Sequence, residues 1–116
     1  MHELPVTESI LKIVLAHAEK NGVSRIVTIH LQIGKLSDMQ DEWMQRYFDY
    51  VSRGTTAEGA KLLIERTEIG LQCNECNSEY TVEAADKIDM PCPRCGQKSS
   101  QLISGREYTI TNMEVV

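Results

Sequence analysis

The chain has 116 residues, 41% of them hydrophobic and only six aromatic, enough for one ordinary domain or a small domain with a metal-stapled satellite. Its formal charge is −5 with the four cysteines counted neutral, and four thiolates around one Zn²⁺ would take it to −7. That balance argues against nucleic acid as a partner, since phosphate contacts need clustered Lys and Arg, and no apolar run is long enough to cross a bilayer.

The chain opens Met1-His2-Glu3, without the basic segment and apolar stretch of a secretory signal, so the cytoplasm is the expected compartment. With Met1 retained, its α-amine, the His2 backbone nitrogen and His2 Nδ1 close a five-membered and a six-membered chelate ring around one ion. Such planar nitrogen coordination suits Ni²⁺ or Cu²⁺ better than tetrahedral Zn²⁺. A fourth position would come from Glu3, through its amide or its carboxylate, or from another molecule. Because the amide must lose its proton, binding should weaken as pH falls. Taken alone, a three-residue motif of this kind is weak evidence for a site.

Thr7 reads as an N-cap, followed by Ile10, Leu11, Val14, Leu15 and Ala18 at helical spacing. Asn21-Gly22 ends that helix. His17, near its C-terminus, reads as a partly exposed residue favoured by the helix dipole. From Ser24 to Ile33 the chain alternates, with Val27, Ile29, Leu31 and Ile33 on a buried face and Thr28, His30 and Gln32 facing solvent. Gly34 stops this strand. Ser37 or Asp38 can cap a second helix, whose stripe of Trp43, Met44, Tyr47, Phe48 and Val51 reads as a core anchor and which ends at Arg53-Gly54. Ala60 to Ile69 reads as one strand, although Leu62-Leu63-Ile64 does not tell which face is inside.

All four cysteines follow, as Cys73-Asn74-Glu75-Cys76 and Cys92-Pro93-Arg94-Cys95. Two Cys-x-x-Cys turns at this separation match the four-cysteine zinc pattern. Pro91, Pro93 and Gly96 make the second a turn. Disulfides suit an oxidising compartment, and a redox Cys-x-x-Cys expects a βαβ setting. A four-cysteine iron–sulfur cluster uses the same ligands and stays open at this point. Four protein sulfurs leave no open coordination position, so a zinc ion here holds structure and does not perform catalysis.

Glu79 to Glu83 alternates as a short strand between the two turns, and Tyr108 to Thr111 has strong β preference. A lone strand is not stable in water, so the tail is expected to return to the first sheet. The expected fold is α+β: two helices on a three-stranded sheet, formed by residues 1–69 with 105–116, and an inserted four-cysteine zinc-ribbon domain at 70–104.

Met1-His2-Glu3 at the start, the Ile33-Gly34 strand end, Gly54, Ala57-Glu58-Gly59-Ala60 and the paired cysteine turns together resemble the HypA/HybF family over essentially the whole chain. These are nickel metallochaperones of [NiFe]-hydrogenase maturation, some of which also serve urease. The resemblance implies nickel at His2, with Met1 and Glu3 as neighbours, and zinc at Cys73, Cys76, Cys92 and Cys95. It also implies a GTPase of the same pathway and the hydrogenase large-subunit precursor as partners, in a monomer or homodimer. The chain departs from the pattern in two places. Gln97 and Lys98 stand where certain relatives carry a further histidine, and Asp38 and Asp41 only flank the Met39-Gln40 point where some carry an acidic side chain.

Two other classes compete with a carrier. One is a zinc-ribbon module for protein or nucleic-acid partners, which the acidic charge disfavours. The other is a metalloenzyme, for which His-Glu-x-x-His, a nucleophile elbow and a phosphate loop are all missing from the sequence.

Overall fold

The computed structural model describes residues 3–116. Helix α1 spans Glu3–Lys20 and buries Thr7, Ile10, Val14 and Ala18 along one stripe. It begins four residues before the expected cap. Pro5 therefore lies in the first turn, where its missing N–H breaks no helical bond. Thr7 is not a cap: its hydroxyl donates to the Leu4 carbonyl at 2.8 Å inside the helix. The C-terminus ends as expected. Gly22 has φ +63°, while Gly22 N–H reaches Glu19 O at 3.4 Å and Val23 N–H reaches Ala18 O at 3.0 Å. That pair of bonds is a Schellman end.

Strand β1, Ile26–Gly34, buries Ile29, Leu31 and Ile33 on the expected face, but leaves Val27, expected there too, only half-buried and buries Ile26 at its start instead. His30 is less free than its alternation suggests, since its Nε2 lies 2.9 Å from Glu114 Oε1 and its side chain is 34% exposed.

Helix α2 is Asp41–Val51, with Gln40 at the N-cap and no side-chain cap. Neither Ser37 nor Asp38 takes that role. Asp41 and Glu42 occupy the first turn, where the helix dipole favours negative charge. The aromatic stripe divides into two columns. Met44 and Phe48 are fully buried, whereas Trp43 is 43% exposed, its ring 5.9 Å from that of Tyr47. Neighbouring positions on a helix point about 100° apart, so only one column reaches the core.

The segment expected as one strand is two: β2, Lys61–Thr67, and β3, Ile69–Cys73. They belong to different sheets. β4 is Glu79–Val82, β5 Ser100–Ser104 and β6 Tyr108–Val115, giving the orders β2-β1-β6 and β4-β3-β5. The tail thus returns to the first sheet, as expected. β5 lacked a clear sequence pattern and was not anticipated. Leu62 is buried and Leu63 is 47% exposed, which settles the inward face of β2.

The chain forms two compact units: Met1–Leu31, Asp38–Glu65 and Thr109–Val116 in one, Gln32–Ser37 and Arg66–Tyr108 in the other. In the first, α1 packs on α2, around Ile10, Val14, Ile26, Ile29, Met44 and Phe48. Gln45 ties α2 to the start of β2, its Oε1 accepting from Leu62 N–H at 2.8 Å and its Nε2 donating to Ala60 O at 3.2 Å. In the second unit, β3 pairs antiparallel with both neighbours, Leu71 standing opposite Tyr80 and Leu102. Gly34 is pressed against Gly105, and a Cβ there would collide with the Gly105 carbonyl.

Candidate metal centre

The cysteine centre is assembled from two copies of one backbone device. After Cys73, Asn77 N–H bonds Cys73 O at 3.0 Å and Cys73 N–H bonds Ser78 O at 2.9 Å. After Cys92, Gly96 N–H bonds Cys92 O at 2.9 Å and Cys92 N–H bonds Gln97 O at 2.8 Å. The fourth residue after each leading cysteine must turn left-handed, and Asn77 (φ 59°) and Gly96 (φ 79°) do so. Asn and Gly at matched positions were a legible signal of this geometry that the sequence reading passed over at Asn77. Strand β3 delivers Cys73 at its end, fully buried. Asn74 anchors the first turn, its N–H donating to Ser99 O at 2.9 Å and its Nδ2 to Ser99 Oγ at 2.9 Å.

The result is four sulfurs within 4.8 Å of one another. Cys73 and Cys95 Sγ are 3.5 Å apart, and Cys76 and Cys92 Sγ are 3.7 Å apart. A tetrahedron with Zn–S bonds of about 2.3 Å has edges of about 3.8 Å. The set fits one tetrahedral ion. The spacing is far above the roughly 2.05 Å of a disulfide and too tight to enclose a multi-iron cluster.

The electrostatics of the sulfurs call for a cation. The Ser78 hydroxyl, then the Ser78 backbone N–H, pull the Cys76 thiol down to about 6. Backbone N–H groups lower Cys92, that of Cys95 most. At Cys95 the Gln97 N–H acts in the same lowering sense, but burial and the sulfurs of Cys73, Cys76 and Cys92 outweigh it and push the thiol up to about 12. Some thiolates are thus prepared while the last proton is held by mutual repulsion, and a divalent ion is the group that releases it.

The other expected site falls on the chain start. Met1 and His2 lie outside the described residues. Glu3 opens α1 and is buried at 4% exposure. Its Oε2 accepts from Gln40 N–H at 3.1 Å, and its Oε1 is buried with no hydrogen-bond partner among the described residues. His17 is exposed in the last turn of α1. His30 is held by Glu114 on the sheet. Gln97 and Lys98 are exposed beside the second cysteine turn. Among the described residues, the four cysteines alone form a group of metal-ligating side chains, and no helix there is long and apolar enough to cross a membrane.

The chain is similar to known proteins over its whole length. The family model described as hydrogenase/urease nickel incorporation, metallochaperone, hypA matches residues 1–115. A hydrogenase maturation factor HypA from Geotalea daltonii is 37% identical over 116 residues, covering 100% of both chains. Another, from Solidesulfovibrio magneticus, is 31% identical with 99% of each chain covered. A solution structure of HypA protein superposes with a TM-score of 0.75 at 25% identity, covering 100% of this chain and 97% of that one. The Ni metallochaperone HypA from Helicobacter pylori shares the fold, with a TM-score of 0.71 at 24% identity, covering 100% of this chain and 98% of that one. The chain belongs to the HypA family of nickel-incorporation metallochaperones.

Proposed function

We propose that this protein carries Ni²⁺ to the precursor of a [NiFe]-hydrogenase large subunit, receiving or passing it with the help of a GTPase of the same maturation pathway, and that urease is a second recipient. The observation that carries this reading is the family match from residue 1 to 115 on a chain that opens Met1-His2-Glu3. Nickel binds through the Met1 amine, the His2 amide and His2 Nδ1, with the Glu3 amide in the fourth position. Cys73, Cys76, Cys92 and Cys95 hold zinc, and the ribbon of residues 70–104 is a structural module. The protein is a carrier in the cytoplasm and not an enzyme.

Carrier chemistry explains the choice of donors. Nitrogen ligands bind Ni²⁺ well, yet cargo must also leave. A site that depends on a deprotonated amide is dismantled by returning that proton or by a competing ligand on the recipient. The closed sulfur cage serves the opposite purpose, because it has no vacant position through which exchange is easy.

Two measurements test the assignment. Ni²⁺ titrated into the zinc-loaded protein should bind tightly at one equivalent, and His2→Ala should lose that binding while keeping its zinc. Equal nickel affinity in His2→Ala would remove the chain-start site. Cys76→Ser should lose zinc, and stoichiometric zinc in that variant would count against ligation by four cysteines.

A further inference from the structure

We propose that the Glu3 carboxylate is a positioning group which fastens the metal-binding start of the chain to the beginning of α2. The inference rests on the chain-start reading above and deepens it. A carboxylate at 4% exposure is costly to bury without a donor; among the described residues its Oε2 accepts from the Gln40 N–H at 3.1 Å and its Oε1 has no partner. Gln40 is the N-cap of α2, and no side chain of its own caps that helix. In a capping box, an acidic residue one turn into a helix reaches back to the N-cap N–H. Here Glu3 does the same service from a different helix. It also stands in the first turn of α1, so one negative charge lies at two helix N-termini, each of which favours it.

The consequence for nickel is geometric. The donors proposed above are backbone nitrogens and one ring within three residues. Tethering residue 3 removes conformational freedom that would otherwise be lost when the ion binds. Ordering one residue corresponds to about a tenfold change in affinity. The carboxylate acts through Gln40 and is not itself a nickel ligand.

The test uses the full-length, zinc-loaded protein and measures Ni²⁺ affinity, the d–d absorption bands of bound nickel, and hydrogen exchange at the Gln40 amide. Glu3→Ala should weaken nickel binding about tenfold and speed exchange at Gln40 by a similar factor. Glu3→Gln keeps an oxygen able to accept from Gln40 N–H, so it should stay within about threefold of the native affinity with unchanged bands. Gln40→Pro removes the donor without touching the carboxylate. It should weaken nickel as Glu3→Ala does, and the double variant should be no worse than either. The proposal is overturned if Glu3→Gln loses nickel as completely as Glu3→Ala with shifted bands, which would place the carboxylate on the metal. It is equally overturned if Gln40→Pro binds nickel like the native chain, or if Glu3→Ala leaves exchange at Gln40 unchanged. The His2→Ala result is read separately: native affinity there ends the chain-start reading, whereas exchange at Gln40 reports on the tether without nickel.

Discussion

Glu107 is a residue whose whole contribution is visible in its donors. Its Oε2 accepts from Gly105 N–H at 2.9 Å and Arg106 N–H at 3.1 Å, holding a turn in which Gly105 has φ +136°. These backbone donors, Gly105 first, lower its carboxyl below the usual 4.5. The folded value is the lower one, so the stabilisation is complete above 4.5 and disappears as pH falls through the folded value. Glu107→Gln should therefore be less stable than native at neutral pH and converge with it in acid, as read by urea unfolding across pH. At Cys76 the neighbouring Ser78 Oγ, 3.3 Å away, favours the thiolate. Ser78→Ala should raise that thiol and let protons compete sooner, so half-release of zinc, followed with a chromophoric chelator, should move to higher pH. An unmoved release curve would mean that Ser78 does not tune the sulfur.

At the scale of the element, α2 separates a packing column from an exposed one. Phe48 is fully buried and Trp43 is 43% exposed. Phe48→Ala should cost about 3–5 kcal/mol in a denaturant titration, while Trp43→Ala should cost under about 1 kcal/mol. Similar losses at both positions would contradict the division. Gly34→Ala drives a methyl into the Gly105 carbonyl and should cost about 2 kcal/mol or more. These elements also show what could be read without coordinates. The alternation of β1 and the Asn21-Gly22 ending were legible because each is a purely local pattern. The start of α1 was not, since a charged residue at a chain end reads as solvent-exposed until a distant Gln40 N–H is found to hold it. The break between β2 and β3 was hidden for a related reason. Only Glu68 separates β2 from β3, with no Gly-Pro or Asn-Gly signal, and a strand that changes sheet looks locally like one that does not. β5 was missed because Ser100 to Ser104 is half polar and its Leu102 and Ile103 are 39% and 46% exposed, so no buried face marks it.

For the whole molecule, the family fixes the task and the cysteine cage explains how so small a second unit stays folded. That unit has few large buried side chains, Ile33, Ile69 and Leu71 with Cys73. A structural zinc can supply the missing folding energy. Chelating it should abolish the protection of β3, β4 and β5 in hydrogen exchange while the helical circular dichroism of α1 and α2 persists; loss of both together would show that the two units do not fold separately. That the four cysteines form one group was readable from their spacing; that the group suits one tetrahedral ion and not a multi-iron cluster was not, because it rests on the sulfur distances. The proposed nickel donors, His2 with its neighbouring backbone nitrogens, carry no such spacing pattern; the family match supports that reading, and Met1 and His2 lie outside the described residues. The most direct test of that reading is equilibrium dialysis of Ni²⁺ against two forms of the zinc-loaded protein, one with a free Met1 amine and one with a single residue added before it. The free-amine form should take up one tightly held nickel and the extended form should lose most of that affinity; equal binding by the two would contradict the account.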